Sequence, residues 1–344
     1  MAEPLRIAAF HAGLTRDGPG LLLRDILSGR DPQVEAVVTV IVASRADVLL
    51  LSGFDHDLGG AALTALADRL AEAGHGFPHR FAPMQNRGIQ SGHDLDGDGR
   101  TGGREDAQGY GRFAGAGSMA ILSRLPLDTN ASQDFAPFLW RDLPGARLPD
   151  VPDRALEVQR LASSSHWVVP AILPDGRRLH LLAWSATAPN FGRGDRNLRR
   201  NHDETAFWLR LLDGALSAPP PAPPFVILGH ANIDPEDGAG DPSAIRALLD
   251  HPAVQDPRPR RAAEPDRSGA NAAHRGDPAL DTADLRDDPG PGDLRLTYVL
   301  PASGLSLSGA GVLWPPPDDP LAAEVSLASR HRLVWVDLLL SQPP

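Results

Sequence analysis

The sequence contains no cysteine, and all 33 of its basic residues counted as Lys plus Arg are arginine. The first absence excludes disulfides, thiolate metal ligands and cysteine nucleophiles together. The second, beside abundant Ala and Pro, reads as the composition of a GC-rich genome and carries no chemistry. No run approaches the roughly 18 consecutive apolar residues that a membrane-spanning helix requires. Met1-Ala2-Glu3-Pro4 leads straight into the strand-like Leu5–Phe10, with no signal-peptide pattern. The chain is therefore expected in the cytoplasm or, as a mature form with an added Met, in the periplasm or outside the cell. Basic runs are missing as well. The formal charge of −11 weighs against nonspecific nucleic-acid binding and lowers the expectation of a nuclease.

What is present is ordinary in bulk. A chain of 344 residues, 42% hydrophobic and 22% charged, suits a globular protein of one large domain or two smaller ones. LRIAAF (5–10), DVLLL (47–51), SMAIL (118–122) and FVIL (225–228) read as short buried strands. Segments 168–173 and 178–184 predict a hairpin across Pro174-Asp175-Gly176. Segments 294–300 and 332–339 read as terminal strands. Helices are expected over 20–28, over 32–44 behind an Asp31-Pro32 start, and over 60–73, 201–212 and 243–250. Residues 84–112 and 255–292 are polar and rich in Gly, Asp or Pro, and read as a loop excursion and a long surface loop. This order predicts a single α/β domain over 1–344, with sheets inside and helices outside, and a monomer.

The sharpest motif is DLDGDGRTGGRE, Asp94–Glu105. Oxygen ligands at positions 1, 3, 5, 7, 9 and 12 of a twelve-residue loop suit a large hard cation. Asp94, Asp96 and Asp98 supply the first three, Gly99 the sharp turn, and Arg100 its carbonyl. Glu105 closes the loop, with Asp106 as an alternative. The expected ion is Ca²⁺, acting as a structural staple near a pocket rim. Such a site favours a calcium-rich compartment, periplasmic or secreted.

A second pattern is spread along the chain. Polar residues follow the predicted buried strands: His11, Asp55, Ser185, and His230 with Asn232. His331 precedes the last strand. Strand ends are where α/β proteins assemble sites. His166, opening a strand, either faces that pocket or is a buried strand histidine. Arg112, Arg196, Arg199 and Arg200 are candidate anion-binding cations, since a guanidinium fork matches phosphate; a solvated arginine face is the competing reading. Asn197, Asn201 and His202 flank a helix start that either binds an anion or is simply capped. A Ser185–His331 nucleophile pair lacks the nucleophile-elbow context.

These strands resemble, in order, the endonuclease/exonuclease/phosphatase superfamily, which includes the pancreatic-type deoxyribonucleases and sphingomyelinases. RIAAFHAGL and ADVLLLSGFD resemble its first two strands, SMAILSRLPL its Ser-Arg-x-Pro strand, and LLAWSATAP the strand normally ending in a catalytic histidine. FVILGHANIDP, LRLTYVLP and ASRHRLVWVDL resemble its Gly-Asp-x-Asn, Asp-Tyr and Ser-Asp-His segments. A bacterial subgroup also shares DRNLRRNHDE and the Asp/Gly loop. The resemblance implies a four-layer αββα sandwich, phosphoester hydrolysis and Mg²⁺ held by a Glu and an Asn. At the implied positions this sequence has His11 for Asn, Gly53 for Glu, Ser185 for His, His230 for Asp, Thr297 for Asp and Arg330 for Asp. Asn232 and His331 match. Mg²⁺ is thus poorly served unless Asp55 or Asp57 reaches inward.

Three readings follow. One is a divergent metal-dependent hydrolase acting on phosphate or other esters, with His331 and Asn232 keeping oxyanion contacts. Another is an inactive member that binds without catalysis. A third is a repurposed centre of His11, His230 and His331 taking Zn²⁺ or another transition metal.

Overall fold

The structure, a computed structural model, describes residues 4–151, 153–192, 194–287 and 289–340. Two mixed sheets pack face to face. The larger has the strand order His79–Phe81, Ser118–Ser123, Val48–Phe54, Leu5–Leu14, Val334–Leu339, Ser306–Val312, Arg260–Arg261. The smaller runs Thr297–Pro301, Phe225–His230, Arg178–Ser185, His166–Ile172, Gln133–Asp134.

Alternation along each strand builds the layers, because successive side chains leave a strand on opposite faces. In the first strand Leu5, Ile7 and Ala9 enter the seam between the sheets, while Ala8, Phe10, Ala12 and Leu14 face the other way. From the smaller sheet Leu181, Ala183, Val226, Leu228 and Val299 meet them in that seam. Helices Leu21–Ser28, Pro32–Ser44, Ala61–Glu72 and Ala322–Ala328 cover the outer face of the larger sheet through Ile26, Val37, Ile41, Leu66 and Val325. Arg196–Leu212 and Ser243–Leu249 cover the smaller one through Phe207, Trp208, Leu211, Ile245 and Leu248. The result is the four-layer αββα sandwich expected from the sequence. Helix Pro32–Ser44 starts where the Asp31 carboxylate accepts the Val34 N–H at 2.9 Å, with Pro32 in the first turn.

Three elements differ from expectation. The helix expected from Asn201 begins at Arg196, because its buried face carries Arg200, Asn201, Asp203 and Glu204, which hide the apolar period. Strand Ser306–Val312 is glycine-rich for a packing reason. A Cβ on Gly311 would lie 2.8 Å from the Trp335 ring, so the strand gives up propensity to let that ring lie against it. The expected surface loop 255–292 is partly interior: Asp281, Thr282 and Ala283 are buried, and Ala283–Asp284 pairs with Asp293–Leu294.

The excursion 84–112 is anchored at its root by buried amides. Gln85 exchanges two hydrogen bonds with the Met119 backbone, at 2.8 and 2.9 Å. Asn86 donates to the Ala136 and Ala162 carbonyls at 2.7 and 2.8 Å. No helix among the described residues is long and apolar enough to cross a membrane.

Candidate metal centre

The same alternation that makes the seam delivers the site. His11 continues the inward row of Ile7 and Ala9, and His230 that of Val226 and Leu228, each one step past the apolar packing. Register then supplies their partners. His11 lies opposite Ser52 and His230 opposite Thr297, so each Nδ1 meets a hydroxyl at 3.1 Å. His331 arrives from the turn before the last strand. Ser329 fixes it there, donating from Oγ to the His11 carbonyl at 2.8 Å and accepting the His331 N–H at 3.0 Å.

The three rings form one group. His11 and His230 stack at 4.3 Å between centroids, and His331 stands edge-on to both at 4.6 Å. One ring nitrogen from each lies within 4.8 Å of the others. Burial drives His11 and His230 well below the ordinary imidazole pKa, and repulsion from neighbouring histidines and Arg87 adds to it. Burial, with Arg332 and Arg330, lowers His331 to about 4. At neutral pH all three are uncharged, each with a lone pair. In the tautomer that donates Nδ1–H to the hydroxyl, His11 and His230 carry their lone pair on Nε2, and the Asn232 side chain also interacts with the His230 ring. His331 has a buried Nδ1 with no partner, a loss of about 1–3 kcal/mol unless a ligand satisfies it.

This donor set does not fit Mg²⁺, which needs oxygen ligands. Among the described residues no carboxylate joins the three imidazoles. Gly53 stands where the resemblance puts a Glu, and the His11 ring has taken that space: a Cβ there would sit 2.8 Å from His11 Cε1, at φ +66°. Asp55 does not reach in either, since its two oxygens accept the Arg16 and Gly117 N–H groups at 2.7 and 2.8 Å. Three neutral imidazoles suit a borderline transition ion instead.

The histidines line a cavity of about 520 Å³ together with Ser185, Asn232, Glu105 and Arg87. Asn232 adopts φ 55°, and its Nδ2 donates to the Ala186 carbonyl at 2.9 Å. The expected catalytic set of His331, Asn232, His230 and Ser185 thus shares one cavity. Arg87 was not anticipated from the sequence; it lies in the Gly-rich excursion with no periodicity to mark it.

None of the expected anion-binding arginines, nor His166, lines the histidine cavity, although Asn197 does. His166 is a core residue, its Nε2 2.7 Å from the Glu204 carbonyl and its ring against Phe207 and Trp208; burial lowers it to about 3. Arg200 is buried and spends its guanidinium on the Leu161, Gln108 and Arg160 carbonyls. Arg112 pairs with Asp17 in an adjoining groove that shares Arg87, Tyr110 and Gly117 with the histidine cavity. Arg199 pairs with Asp195 at 2.6 Å. Arg196 donates to the Glu105 carbonyl at 3.2 Å and lines a neighbouring hollow beside the Asp loop.

In that loop, Asp94, Asp96 and Asp106 bring carboxylate oxygens within 4.8 Å of one another. Asp98 is not in this group; its Oδ1 accepts the Arg100 N–H at 2.8 Å. Asp106, the alternative closing residue, holds the place expected for Glu105, and accepts the Leu95 and Gly103 N–H groups, each at 2.9 Å. Glu105 instead lines the histidine cavity as well as the hollow beside the loop.

A family model described as Endonuclease/Exonuclease/phosphatase family matches residues 25–331. Among solved structures, an endonuclease/exonuclease/phosphatase from Beutenbergia cavernae is similar at 17% identity and TM-score 0.58, over 98% of this chain and 72% of that one. A family protein from Leptotrichia buccalis aligns at 12% identity and TM-score 0.54, over 98% and 100%. Sphingomyelinase C from Streptomyces griseocarneus aligns at 16% identity and TM-score 0.51, over 98% and 99%. No curated protein sequence matches the chain.

Proposed function

This chain belongs to the endonuclease/exonuclease/phosphatase family, and we propose that it is a phosphate-ester hydrolase whose metal centre has been rebuilt from three imidazoles. The observation that carries this reading is the convergence of His11, His230 and His331 within 4.8 Å, at the cavity where the family's strand order puts its centre. Loss of carboxylates alone would leave an empty pocket. Here two of the vacated positions hold histidines, the strands beside them supply hydroxyl tethers, and position 53 is cleared for a ring.

A Zn²⁺-class ion, when bound, supplies Lewis acidity and a more acidic water. The protein supplies the rest. Ser52 and Thr297 orient the His11 and His230 rings, and Ser329 locks the His331 backbone to the first strand. The Asn232 amide, tied to the Ala186 carbonyl at 2.9 Å, stands at the cavity wall where a phosphoryl oxygen can accept from a side-chain donor. Neutral imidazoles leave the site without a fixed negative charge except Glu105, which burial pushes above the ordinary carboxylate pKa.

The test is turnover of phosphomonoester and phosphodiester reporters by metal-stripped protein restored with Zn²⁺, Mn²⁺, Co²⁺ or Mg²⁺. Activity is expected with a borderline ion, with Mg²⁺ ineffective. No turnover with any metal, in protein that binds one, would leave a binding protein on this fold.

The Asp94–Asp106 loop we assign separately to Ca²⁺, on the gathering of Asp94, Asp96 and Asp106. Three carboxylates suit a hard ion, and its filling fits a calcium-rich compartment such as the periplasm or exterior. Calcium should raise the melting temperature without restoring turnover.

A further inference from the structure

The imidazoles are the floor of the cavity; its charge comes from Arg87. This side chain is half-buried and donates from Nε to the Ala116 carbonyl at 3.0 Å. Among the described residues no carboxylate forms an ion pair with it, and no acceptor takes its two Nη groups. The contrast with Arg200, whose guanidinium is spent on three carbonyls, is direct. Gly117 keeps the fork clear, since a Cβ there would stand 3.0 Å from Arg87 Nη2. Asp55 and Glu204 act on it through charge without contact, and its planar fork, lining the cavity, matches two oxygens of one phosphate.

The rim supplies a second kind of contact. The chain has two tyrosines. Tyr298 is buried, its hydroxyl shared between the Ile233 and Arg295 carbonyls at 2.9 and 2.8 Å, while Tyr110 is 43% exposed and lines this cavity. Phe191, 73% exposed, lines it too. Large exposed rings are unfavourable in water and serve as apolar contact area for a ligand.

We propose that the cavity takes a small phosphomonoester, its phosphate gripped by the Arg87 fork beside the three imidazoles and its aryl or similarly flat leaving group lying against Tyr110 and Phe191. The inference rests on the hydrolase reading and names its substrate class. A monoester dianion gains more than a diester monoanion from the Arg87 guanidinium, on which Asp55 and Glu204 act only at a distance. A polymeric nucleic acid is opposed by the net charge of −11. Glu105 lines the cavity as well, and Arg196 beside it offsets its charge. In the reaction, water oxygen forms the new P–O bond, the P–O bond to the leaving group breaks, and the proton from water passes to the departing oxygen. Inorganic phosphate and a phenol or alcohol result.

Two measurements test this on the metal-loaded full chain. Calorimetric titration with inorganic phosphate should show binding that weakens about tenfold or more in Arg87→Gln and less in Arg87→Lys, with metal content and circular dichroism unchanged. Turnover should favour p-nitrophenyl phosphate over bis(p-nitrophenyl) phosphate. Replacing Tyr110 and Phe191 by Ala should raise KM for the aryl ester about fivefold or more and leave that for glycerol phosphate unchanged. Phosphate binding of equal strength in Arg87→Gln, or a preference for the diester, overturns the inference even if metal-dependent hydrolysis stands. Arg87-dependent phosphate binding without turnover of any reporter supports the anion site and removes the hydrolase reading alone.

Discussion

The histidine cavity and the Asp94–Asp106 loop each bring three ligand atoms within 4.8 Å, yet they are built in opposite ways. The cavity's donors sit at the ends of strands and inherit their positions from sheet register. The loop's donors are set by their own turns. Asp94 Oδ1 accepts the Gly97 N–H at 2.7 Å and Oδ2 the Gly99 N–H at 2.9 Å. One group is uncharged, enclosed and tethered by hydroxyls; the other is anionic and open. Ligand softness follows construction. Imidazoles forced below their usual pKa by burial suit a borderline ion, whereas carboxylates, Asp94 among them held below its usual pKa by backbone N–H groups, suit a hard one. The two sites should therefore fill independently and with different metals.

The largest expected effect is at the cavity. His230→Ala should abolish stoichiometric transition-metal binding and metal-dependent turnover, exceeding the roughly 10–100-fold that losing an outer partner costs. The calcium shift in melting temperature should persist. A variant that retains both metal and activity would break the comparison on its first side.

Next is the loop. Calcium at about one hundred times its Kd should stabilise the native protein by about 2.7 kcal/mol, read as several degrees in melting temperature. Asp94→Ala should erase that shift while transition-metal content stays at the wild-type level. Loss of both together would mean that the sites are coupled, with Glu105, which lines both hollows, the first place to look.

A carboxylate outside both sites sharpens the contrast, because among the described residues no N–H group donates to it. Asp281 is 6% exposed, and burial with the neighbouring Asp234 and Asp293 raises it to about 8. The unfolded chain titrates near 4, so between about pH 4 and 8 folding takes up a proton and stability falls as pH rises. Asp281→Asn should flatten that slope, gaining on the order of 5 °C at pH 7.5 and nothing near pH 4. Thermal unfolding across that range reads it directly; a parallel pH profile in the variant would remove Asp281 as the cause.

The smallest effect is expected at a tether. Ser52→Ala leaves His11 in place and removes its Nδ1 partner, so metal affinity should fall about tenfold, with recovery in Ser52→Thr. Unchanged affinity would mean that ring packing alone orients His11.

Much of this was readable beforehand. The apolar strands and the helices outside them follow from period and length, and the three histidines stand out because each adjoins a buried strand. What was hidden depends on register or on approach of distant segments. Ser52 and Thr297 become partners only once strands pair. Arg87 is presented by a loop whose clearance is set by Gly117. His166 and Arg200 look available in the sequence and are used inside, on the Glu204 carbonyl and on three loop carbonyls. In the loop it is Asp106, the alternative to Glu105, that gathers with Asp94 and Asp96, held by the Leu95 and Gly103 N–H groups that no sequence pattern marks.

The central claim is that three imidazoles have replaced a carboxylate centre for Mg²⁺, and metal content tests it most directly. Protein dialysed against an equimolar mixture of Mg²⁺, Mn²⁺, Co²⁺ and Zn²⁺, then measured by elemental mass spectrometry, should retain about one equivalent of a borderline ion that disappears in His11→Ala and His331→Ala. Retention of Mg²⁺ in its place, or of no transition metal above the level in those variants, would contradict the account.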